Sequence, residues 1–246
     1  MILKKYILFF VITIASITVK AQSGYNYQEL GVGASASLVR GFTNVQRQDI
    51  RPAFSVNLIY NYNPYLPVIL EYQRGTLSGG GLTPDKDKYG RMYTNKYQIL
   101  LLHADVQLGA TIDYEDSWVL TALRNLYVGT GIGFISNNNT VQRTNVILEN
   151  GGPNYIFPGG DKNIGITVPI RAGYEFKIFD SYNEPAWAID VGYVHNFVFG
   201  EGLDGYNDPS SRFKNNAVDQ YAQVVIGFKY FFGTVVSYNK LIKTFR

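Results

Sequence analysis

The two histidines are the first candidates for chemistry in this chain of 246 residues, which contains no cysteine. Asp105 follows His103 at a spacing of two, so both side chains fall on one face of an extended strand. His195 lies among aromatic residues, and Phe197 stands where a serine nucleophile two residues from its histidine would be needed. We interpret His103 and Asp105 as a packed hydrogen-bonding pair, and we keep His195 as the alternative, catalytic candidate.

Two further motifs have features in common with metal-binding or nucleotide-binding loops. Residues 85–90 resemble the start of a calcium loop, but Tyr89 and Lys96 occupy positions five and twelve, where oxygen ligands are required. We therefore predict a solvated loop there. Residues 129–133 carry glycine at every second position and no helix follows, which is typical of one strand face rather than of a nucleotide loop. The sequence predicts no catalytic residue, no metal site and no cofactor.

Residues 168–178 read VPIRAGYEFKI and show how the charges are arranged. Arg171, Glu175 and Lys177 all fall on one parity, whereas the other parity is apolar. Strict alternation predicts a β-strand, because successive side chains of a strand point to opposite faces. Pro169 removes one ladder hydrogen bond from this strand, which predicts a bulge.

Seven other segments alternate in the same way. With the sixth segment around 168–178, the predicted strands are 29–38, 53–63, 67–77, 97–111, 125–136, 186–199 and 219–232. The connections alternate between long polar loops and shorter turns, and the turn 112–124 is predicted to hold one helical turn at 118–123. An even number of strands near ten residues, with long loops at one end only, is typical of a transmembrane β-barrel. We predict an all-β fold: an eight-stranded antiparallel up-and-down transmembrane barrel with short periplasmic turns and long extracellular loops.

Residues 1–21 are predicted to be a secretory signal peptide. Lys4 and Lys5 precede an apolar run, and Val19-Lys20-Ala21 provides a cleavage site after Ala21. The leader carries three of the 22 basic residues and none of the 19 acidic ones, so the mature chain is formally neutral. A neutral chain excludes a nucleic-acid partner on electrostatic grounds. The predicted domains are the signal peptide (1–21), the barrel (22–233) and a short periplasmic tail (234–246).

The apolar parity is predicted to face lipid and the polar parity a closed lumen. The polar parity is rich in glycine and serine, which suits the narrow interior of an eight-stranded barrel better than a water-facing surface. Its charges have mixed sign and can pair. The predicted lumen polar network comprises Glu29, Glu71, His103, Asp105, Arg171, Glu175, Lys177, Asp190 and Lys229. The predicted aromatic girdle at the periplasmic end comprises Tyr60, Tyr62, Tyr65, Tyr174, Phe176, Trp187, Tyr230 and Phe232. A soluble, lipocalin-like barrel with the apolar face inside is the alternative.

The chain resembles small eight-stranded outer-membrane barrels of the kind found in the OmpA transmembrane domain, over about residues 27–232. Gly227, Tyr230 and Phe232 match the β-signal that the barrel assembly machinery reads on a final strand. The tail after residue 233 is too short for a peptidoglycan-binding domain. The Ala-Gln leader end and the Tyr- and Asn-rich strands are similar to outer-membrane barrels of Bacteroidota.

This resemblance implies an integral outer-membrane protein of a Gram-negative bacterium. The predicted function is non-enzymatic, with a plugged polar lumen and a role in envelope structure, adhesion or association with an envelope complex. The predicted partners are outer-membrane lipid and lipopolysaccharide, the barrel assembly machinery and an unknown envelope protein. A lipid A-modifying enzyme that uses His195 and a narrow conduit for small solutes are the alternatives.

Overall fold

The computed structural model describes residues 26–114, 117–144, 155–200, 202–207 and 218–238. The predicted signal peptide and residues 239–246 of the predicted tail lie outside this part of the chain. The described residues form eight strands: β1 (Asn26–Phe42), β2 (Ile50–Asn63), β3 (Leu66–Gly80), β4 (Met92–Gln107), β5 (Leu126–Val141), β6 (Lys162–Phe179), β7 (Pro185–Phe199) and β8 (Gln220–Ser237).

The strands close into one barrel in chain order. Each strand pairs antiparallel with its sequence neighbours, and β8 pairs with β1 from Asn26↔Ser237 to Phe42↔Gln220. The predicted all-β, eight-stranded, antiparallel up-and-down barrel is confirmed. The connecting residues 64–65, 108–114, 117–125 and 180–184 lie at one end, called the short-turn end. The loops 43–49 and 81–91, with the described parts of the two later connections (142–144, 155–161, 200, 202–207 and 218–219), lie at the other, called the long-loop end.

Several predicted strand bounds were wrong. β4 begins five residues before the predicted start and ends at Gln107, where a short 3-10 turn (Leu108–Ala110) replaces the predicted last residues of the strand. β8 continues to Ser237, so the first four residues of the predicted tail are strand. The predicted helical turn is confirmed as α1 (Trp118–Leu123), whose first turn is capped by the side chain of Ser117.

Pro169 does not cause the predicted bulge. The register of β6 against β7 runs without a shift through Val168↔Phe197 and Pro169↔Asn196. On the β5 side the ladder is interrupted after Thr130↔Ile170 and resumes in the same register at Gly133↔Thr167. The side chain of Thr130 donates a hydrogen bond to the carbonyl oxygen of Pro169 at 2.8 Å. The missing N–H therefore costs pairing on one side only, and the strand stays in register.

The outer surface of the strands is apolar and the inner surface carries the charges. Outward side chains such as Phe54 (65% exposed), Val128 (64%) and Ile132 (56%) are largely exposed, whereas Arg171 and Glu175 are buried. This arrangement contradicts the lipocalin-like alternative, which requires an apolar interior and a polar exterior. Among the described residues, no helix is long and apolar enough to cross a membrane.

The lumen is filled by different side chains in its two halves. The half toward the short-turn end holds the charged residues, whereas the half toward the long-loop end holds an apolar cluster. That cluster includes Val39, Ala53, Leu77, Tyr93, Tyr97, Ile99, Leu101, Ile135, Val198 and Tyr221. The long-loop half combines this cluster with buried polar side chains, since Gln73 donates a hydrogen bond to Gln223 at 2.6 Å and Asn95 donates to Asn137 at 2.7 Å. Packed apolar side chains and hydrogen-bonded polar ones therefore fill the lumen together, which the sequence alone did not predict.

Candidate functional site

Four side chains in the lumen form a closed ring of polar contacts, called the lumen quartet. Glu71 on β3, His103 and Asp105 on β4, and Arg171 on β6 are its members. His103 lies between the two carboxylates, with Nε2 3.3 Å from Glu71 and Nδ1 3.3 Å from Asp105. Arg171 closes the ring with Nε 3.0 Å from Asp105 and Nη1 3.6 Å from Glu71. All four are buried, so the ring is shielded from water.

A second group lies beside it toward the short-turn end. Lys229 on β8 pairs with Glu175 on β6 at 2.6 Å and lies 3.9 Å from Asp190 on β7. Lys177 lies 3.8 Å from Glu175 and donates hydrogen bonds to Gln107 at 2.8 Å and to the carbonyl oxygen of Pro64. Two lysines balance two carboxylates here, as a buried set of charges requires.

Glu29 is the member of the predicted network that the structure does not bring to the others. It is half-buried on β1, next to a register shift between Gln28 and Leu30. None of the described hydrogen bonds or ion pairs joins it to the quartet or to the second group. The other eight predicted residues lie in one of these two groups. The alternation of side chains along a strand predicts the face on which a residue lies, but it does not predict its position along the barrel axis.

The long-loop end is closed by the segment 202–207, which folds into the barrel mouth. Leu203 and Tyr206 are buried there. Asp219 accepts hydrogen bonds from the backbone N–H groups of Gly202 at 3.2 Å and Leu203 at 2.9 Å. The hydroxyl of Tyr206 donates to the carbonyl oxygen of Gln142 at 2.8 Å. Burial raises the pKa of the Tyr206 hydroxyl, so it remains a neutral donor.

Inward-facing asparagines line the mouth and hold this segment. The side-chain amide of Asn95 donates to Asn137 at 2.7 Å and to the Leu203 carbonyl at 2.9 Å. Asn137 donates onward to Asn163 at 2.7 Å, and Asn139 donates to the Gly202 carbonyl at 2.8 Å. The sequence patterns did not predict a role for these residues. The run of three asparagines at 137–139 is the signal that could have predicted them. It follows directly on the alternating apolar residues of the fifth predicted strand, so the strand could be expected to continue through it.

The loops 43–49 and 81–91 brace each other at the same end. Asp87 is buried and accepts hydrogen bonds from the backbone N–H of Arg91 and Tyr89 at 3.0 Å, and its carboxylate pairs with the Arg91 guanidinium at 3.2 Å. The Arg91 guanidinium also donates to the Asn44 carbonyl at 2.7 Å. The predicted solvated loop at 85–90 was therefore wrong at Asp87, which is a structural anchor of both loops.

The short-turn end is closed by Tyr65 and Tyr114, whose hydroxyls are 2.7 Å apart. Tyr65 is fully buried beneath Lys177, whose Nζ lies 4.9 Å from the ring centroid. Tyr65 was therefore assigned wrongly to the aromatic girdle, because a turn residue does not follow strand parity. The other predicted girdle residues are exposed or half-buried, and Trp187 packs on Tyr230 with ring centroids 4.3 Å apart.

His195 lies outside the lumen, near the long-loop end. Its Nε2 is 2.8 Å from the side-chain oxygen of Gln220, and its Nδ1 is 3.3 Å from the hydroxyl of Tyr193. Phe42 and Phe197 flank the ring with centroids 5.8 and 5.0 Å away. Gln220 also borders a groove of about 310 Å³ formed with residues 40–48 and 218–219. No described carboxylate contacts this histidine, so the orienting member of a catalytic triad is missing from the described contacts.

Within the described residues, no cluster of histidine and acidic side chains could hold a metal ion. The features together define the class of the protein. A closed antiparallel barrel of eight strands, with an apolar outer belt and a filled interior, belongs to the transmembrane β-barrels.

No protein-family model matches the chain, and a search of curated proteins finds no matching sequence. Solved structures match its fold. Neisserial surface protein A (NspA) is 13% identical with a TM-score of 0.43, over 85% of this chain and 99% of that chain. Ail of Yersinia pestis is 13% identical with a TM-score of 0.43, over 86% of this chain and 100% of that chain. CarO of Acinetobacter baumannii is 15% identical with a TM-score of 0.41, over 81% of this chain and 97% of that chain. These likenesses concern the fold alone, and the similarity to Bacteroidota barrels stays a prediction.

Proposed function

We propose that the chain is an integral outer-membrane barrel of a Gram-negative bacterium, with no enzymatic activity and a plugged lumen. The observation that carries this proposal is the pairing of an apolar exterior with a lumen filled from end to end. The loops 43–49 and 81–91 are fixed to each other by Asp87 and Arg91. A braced loop surface suits contact with other envelope components, so the role lies in envelope structure, adhesion or an envelope complex.

The orientation can be tested because the chain has no cysteine. Lys88 is exposed in a long loop, and Tyr182 is 81% exposed in a short turn. We expect a membrane-impermeant maleimide to label Lys88→Cys in intact cells and to label Tyr182→Cys only after the outer membrane is permeabilised. Labelling of Tyr182→Cys alone in intact cells would reverse the orientation. Equal labelling in a soluble periplasmic fraction would refute the outer-membrane location.

The proposed lipid partner is lipopolysaccharide, and the outward charges support it. Outward positions on the strands carry no acidic side chain, and the outward cations all lie toward the long-loop end: Arg40, Arg74, Lys96 and Lys162. Lys96 and Lys162 lie in one row across β4, β5 and β6, because both pair with Asn138. A row of cations above an apolar belt suits a layer of phosphate headgroups.

We expect lipopolysaccharide to raise the heat stability of the barrel in detergent through this row. The variant Lys96→Gln/Lys162→Gln should lose most of that gain. Lys86→Gln/Lys88→Gln removes the same charge from an exposed loop and should keep it. An equal gain in both variants would count against headgroup binding at the row. Dephosphorylated lipopolysaccharide should stabilise none of the proteins.

The barrel assembly machinery is the second proposed partner. Tyr230 and Phe232 of the predicted β-signal face outward, and Gly227 faces the lumen beside Ser35. These outward aromatics can be read before the barrel closes. We expect Tyr230→Ser to slow assembly in cells more than it destabilises the purified barrel. Outward Tyr193→Ser, outside the signal, is the matched control and should assemble at the parent rate.

The enzyme and conduit alternatives each have a direct test. Nothing in the contacts of His195 favours hydrolysis, since its ring nitrogens meet Gln220 and Tyr193. The lipid A profile of a deletion strain should match that of its parent, and a lost modification would overturn the non-enzymatic assignment. The void at the short-turn end is about 10 Å³, close to the least that holds one water. Steady conductance of the purified barrel in planar bilayers would overturn the plugged lumen.

A further inference from the structure

Helix α1 presents an exposed apolar face on the outside of the described protein. Trp118 is 84% exposed, and Val119 and Leu123 are 42% and 40% exposed. Ala122 completes this face and is exposed as well. These positions recur at the spacing that places side chains on one side of a helix. The helix contains no charged residue, so its exposed face is apolar throughout.

The opposite face of α1 fixes the helix to the barrel. Thr121 is buried, and its hydroxyl donates to the carbonyl oxygen of Tyr114 at 2.7 Å. Leu120 packs against the closed pair of Tyr65 and Tyr114. Ser117 caps the first turn through the N–H of Leu120. Because these contacts set the rotation of the helix, Trp118 points away from the protein as a fixed feature.

The apolar face of α1 continues the lipid-facing belt at the short-turn end. The hydroxyl of Tyr174, which lies on the outward parity of β6, donates to the Ala122 carbonyl at 2.5 Å. Tyr174 pairs with Leu126, the first residue of β5, and packs against outward Phe176 in a tilted arrangement with ring centroids 4.6 Å apart. Leu126 and Phe176 are exposed beside the helix. The exposed face of the helix thus extends the outer wall of the barrel, while its buried face packs on the tyrosine pair.

We propose that α1 is an interfacial anchor that lies in the boundary between headgroups and acyl chains of the phospholipid leaflet at the short-turn end. Trp118 has the side chain most suited to that boundary, because its ring is apolar and its indole N–H can bond to headgroups or water. An uncharged helix with an apolar outer face suits zwitterionic phospholipid. The inference rests on the proposed membrane location of the barrel.

The two tryptophans of the chain make the test direct. Trp187→Phe leaves Trp118 as the single fluorophore, and Trp118→Phe leaves Trp187 in the girdle. Each protein is refolded into phosphatidylcholine vesicles that carry bromine either high or low on the acyl chains. We expect blue-shifted emission from Trp118, stronger quenching by the shallow bromines than by the deep ones, and little quenching by acrylamide. Folding of each variant is checked by its heat-modifiable gel shift.

A third protein supplies the aqueous reference. Trp118→Phe/Trp187→Phe/Tyr182→Trp has its only tryptophan in a polar turn, where Tyr182 is 81% exposed. Emission and acrylamide quenching of Trp118 equal to those of this reference would overturn the anchor. If brominated lipids fail to quench Trp187 as well, the lipid-facing belt and the proposed function fail. If they quench Trp187 and leave Trp118 unaffected, the anchor alone fails, and a protein partner for α1 is the remaining occupant.

Discussion

Arg171 contacts two buried carboxylates, so its removal leaves both without their cation. Nε lies 3.0 Å from Asp105 and Nη1 lies 3.6 Å from Glu71, inside a lumen closed to water. We expect Arg171→Ala to lower the free energy of unfolding by about 3–5 kcal/mol, the usual cost of breaking a buried pair from one side. Urea titration of the barrel in detergent micelles measures it.

The control for Arg171 is Arg51, whose side chain is 48% exposed and pairs with Asp49 at 3.4 Å. Arg51→Ala should cost about 0–1 kcal/mol, as exposed pairs do. The triple variant Arg171→Met/Glu71→Gln/Asp105→Asn removes the charges together and should regain most of the loss. If Arg171→Ala unfolds at the same urea concentration as its parent, the quartet does not stabilise the lumen.

Gly131 tests why glycine recurs on one face of β5. A Cβ at Gly131 would overlap the Leu102 carbonyl oxygen and the backbone of His103 on β4. Backbone atoms cannot move aside as a side chain can, so we expect Gly131→Ala to cost about 1–3 kcal/mol in urea titrations. Gly160→Ala, whose nearest neighbouring atom lies 3.8 Å from the Cβ position, should change the free energy of unfolding by less than about 0.5 kcal/mol. Equal effects would show that β4 does not crowd Gly131.

Strand parity predicted the faces of single residues but not their neighbours. His103 and Asp105 share a face because strand side chains repeat every two residues, and the structure places them 3.3 Å apart. Tyr65 lies in a turn, where that period does not apply, and Glu29 lies beside a register shift. The stagger of the eight strands decides which residues meet across the lumen. Alternation within a single strand does not reveal that stagger.

At the scale of the elements, alternation located every strand and failed at the strand ends. β4 begins at Met92, although Thr94, Asn95 and Lys96 are polar on both parities. The strand continues there because backbone ladder hydrogen bonds, which any residue can make, hold it beyond the apolar belt. The same reason explains β5, which continues through 137–140. Hydrophobic periodicity therefore predicts only the part of a strand that belongs to the apolar belt, and not the ends of the strand.

The Asp219 carboxylate is one of the groups that hold the segment 202–207 in the barrel mouth, beside the asparagines. Asp219 accepts hydrogen bonds from the N–H groups of Gly202 and Leu203. We expect Asp219→Ala to weaken the closed state of the segment by about 1–3 kcal/mol, because two buried donors lose their acceptor. Hydrogen–deuterium exchange at 202–207 should become roughly tenfold to a hundredfold faster, at about tenfold for every 1.4 kcal/mol.

The matched control is Asp49→Ala at the same end of the barrel. Asp49 accepts hydrogen bonds from Ser78 at the end of β3 and Arg51 at the start of β2, and it has no described contact with the segment 202–207. Its removal should speed exchange in its own loop and leave 202–207 unchanged. If Asp219→Ala also leaves 202–207 unchanged, the asparagines of the mouth hold the segment without the carboxylate.

At the scale of the whole molecule, the barrel reverses the usual distribution of polar and apolar side chains. Charged side chains of both signs pair within the lumen, while outward apolar residues such as Val128 and Ile132 are largely exposed. This reversal is stable only if the surroundings of the belt are apolar, because exposed apolar surface is unfavourable in water. The belt therefore commits the folded chain to a lipid environment, whatever its loops bind.

A charge placed at two depths on one strand tests that commitment. Ile132 and Ser136 both face outward on β5, Ile132 near its middle and Ser136 toward the long-loop end. In vesicles, Ile132→Arg should lower the free energy of unfolding by about 2–4 kcal/mol and Ser136→Arg by about 0–1 kcal/mol, because the cost of an outward arginine falls toward the membrane interface. Reversible urea titration of both variants in the same vesicles gives the comparison. Equal costs would mean that Ile132 does not face the bilayer interior, and the arrangement of the barrel in the membrane would have to be rejected.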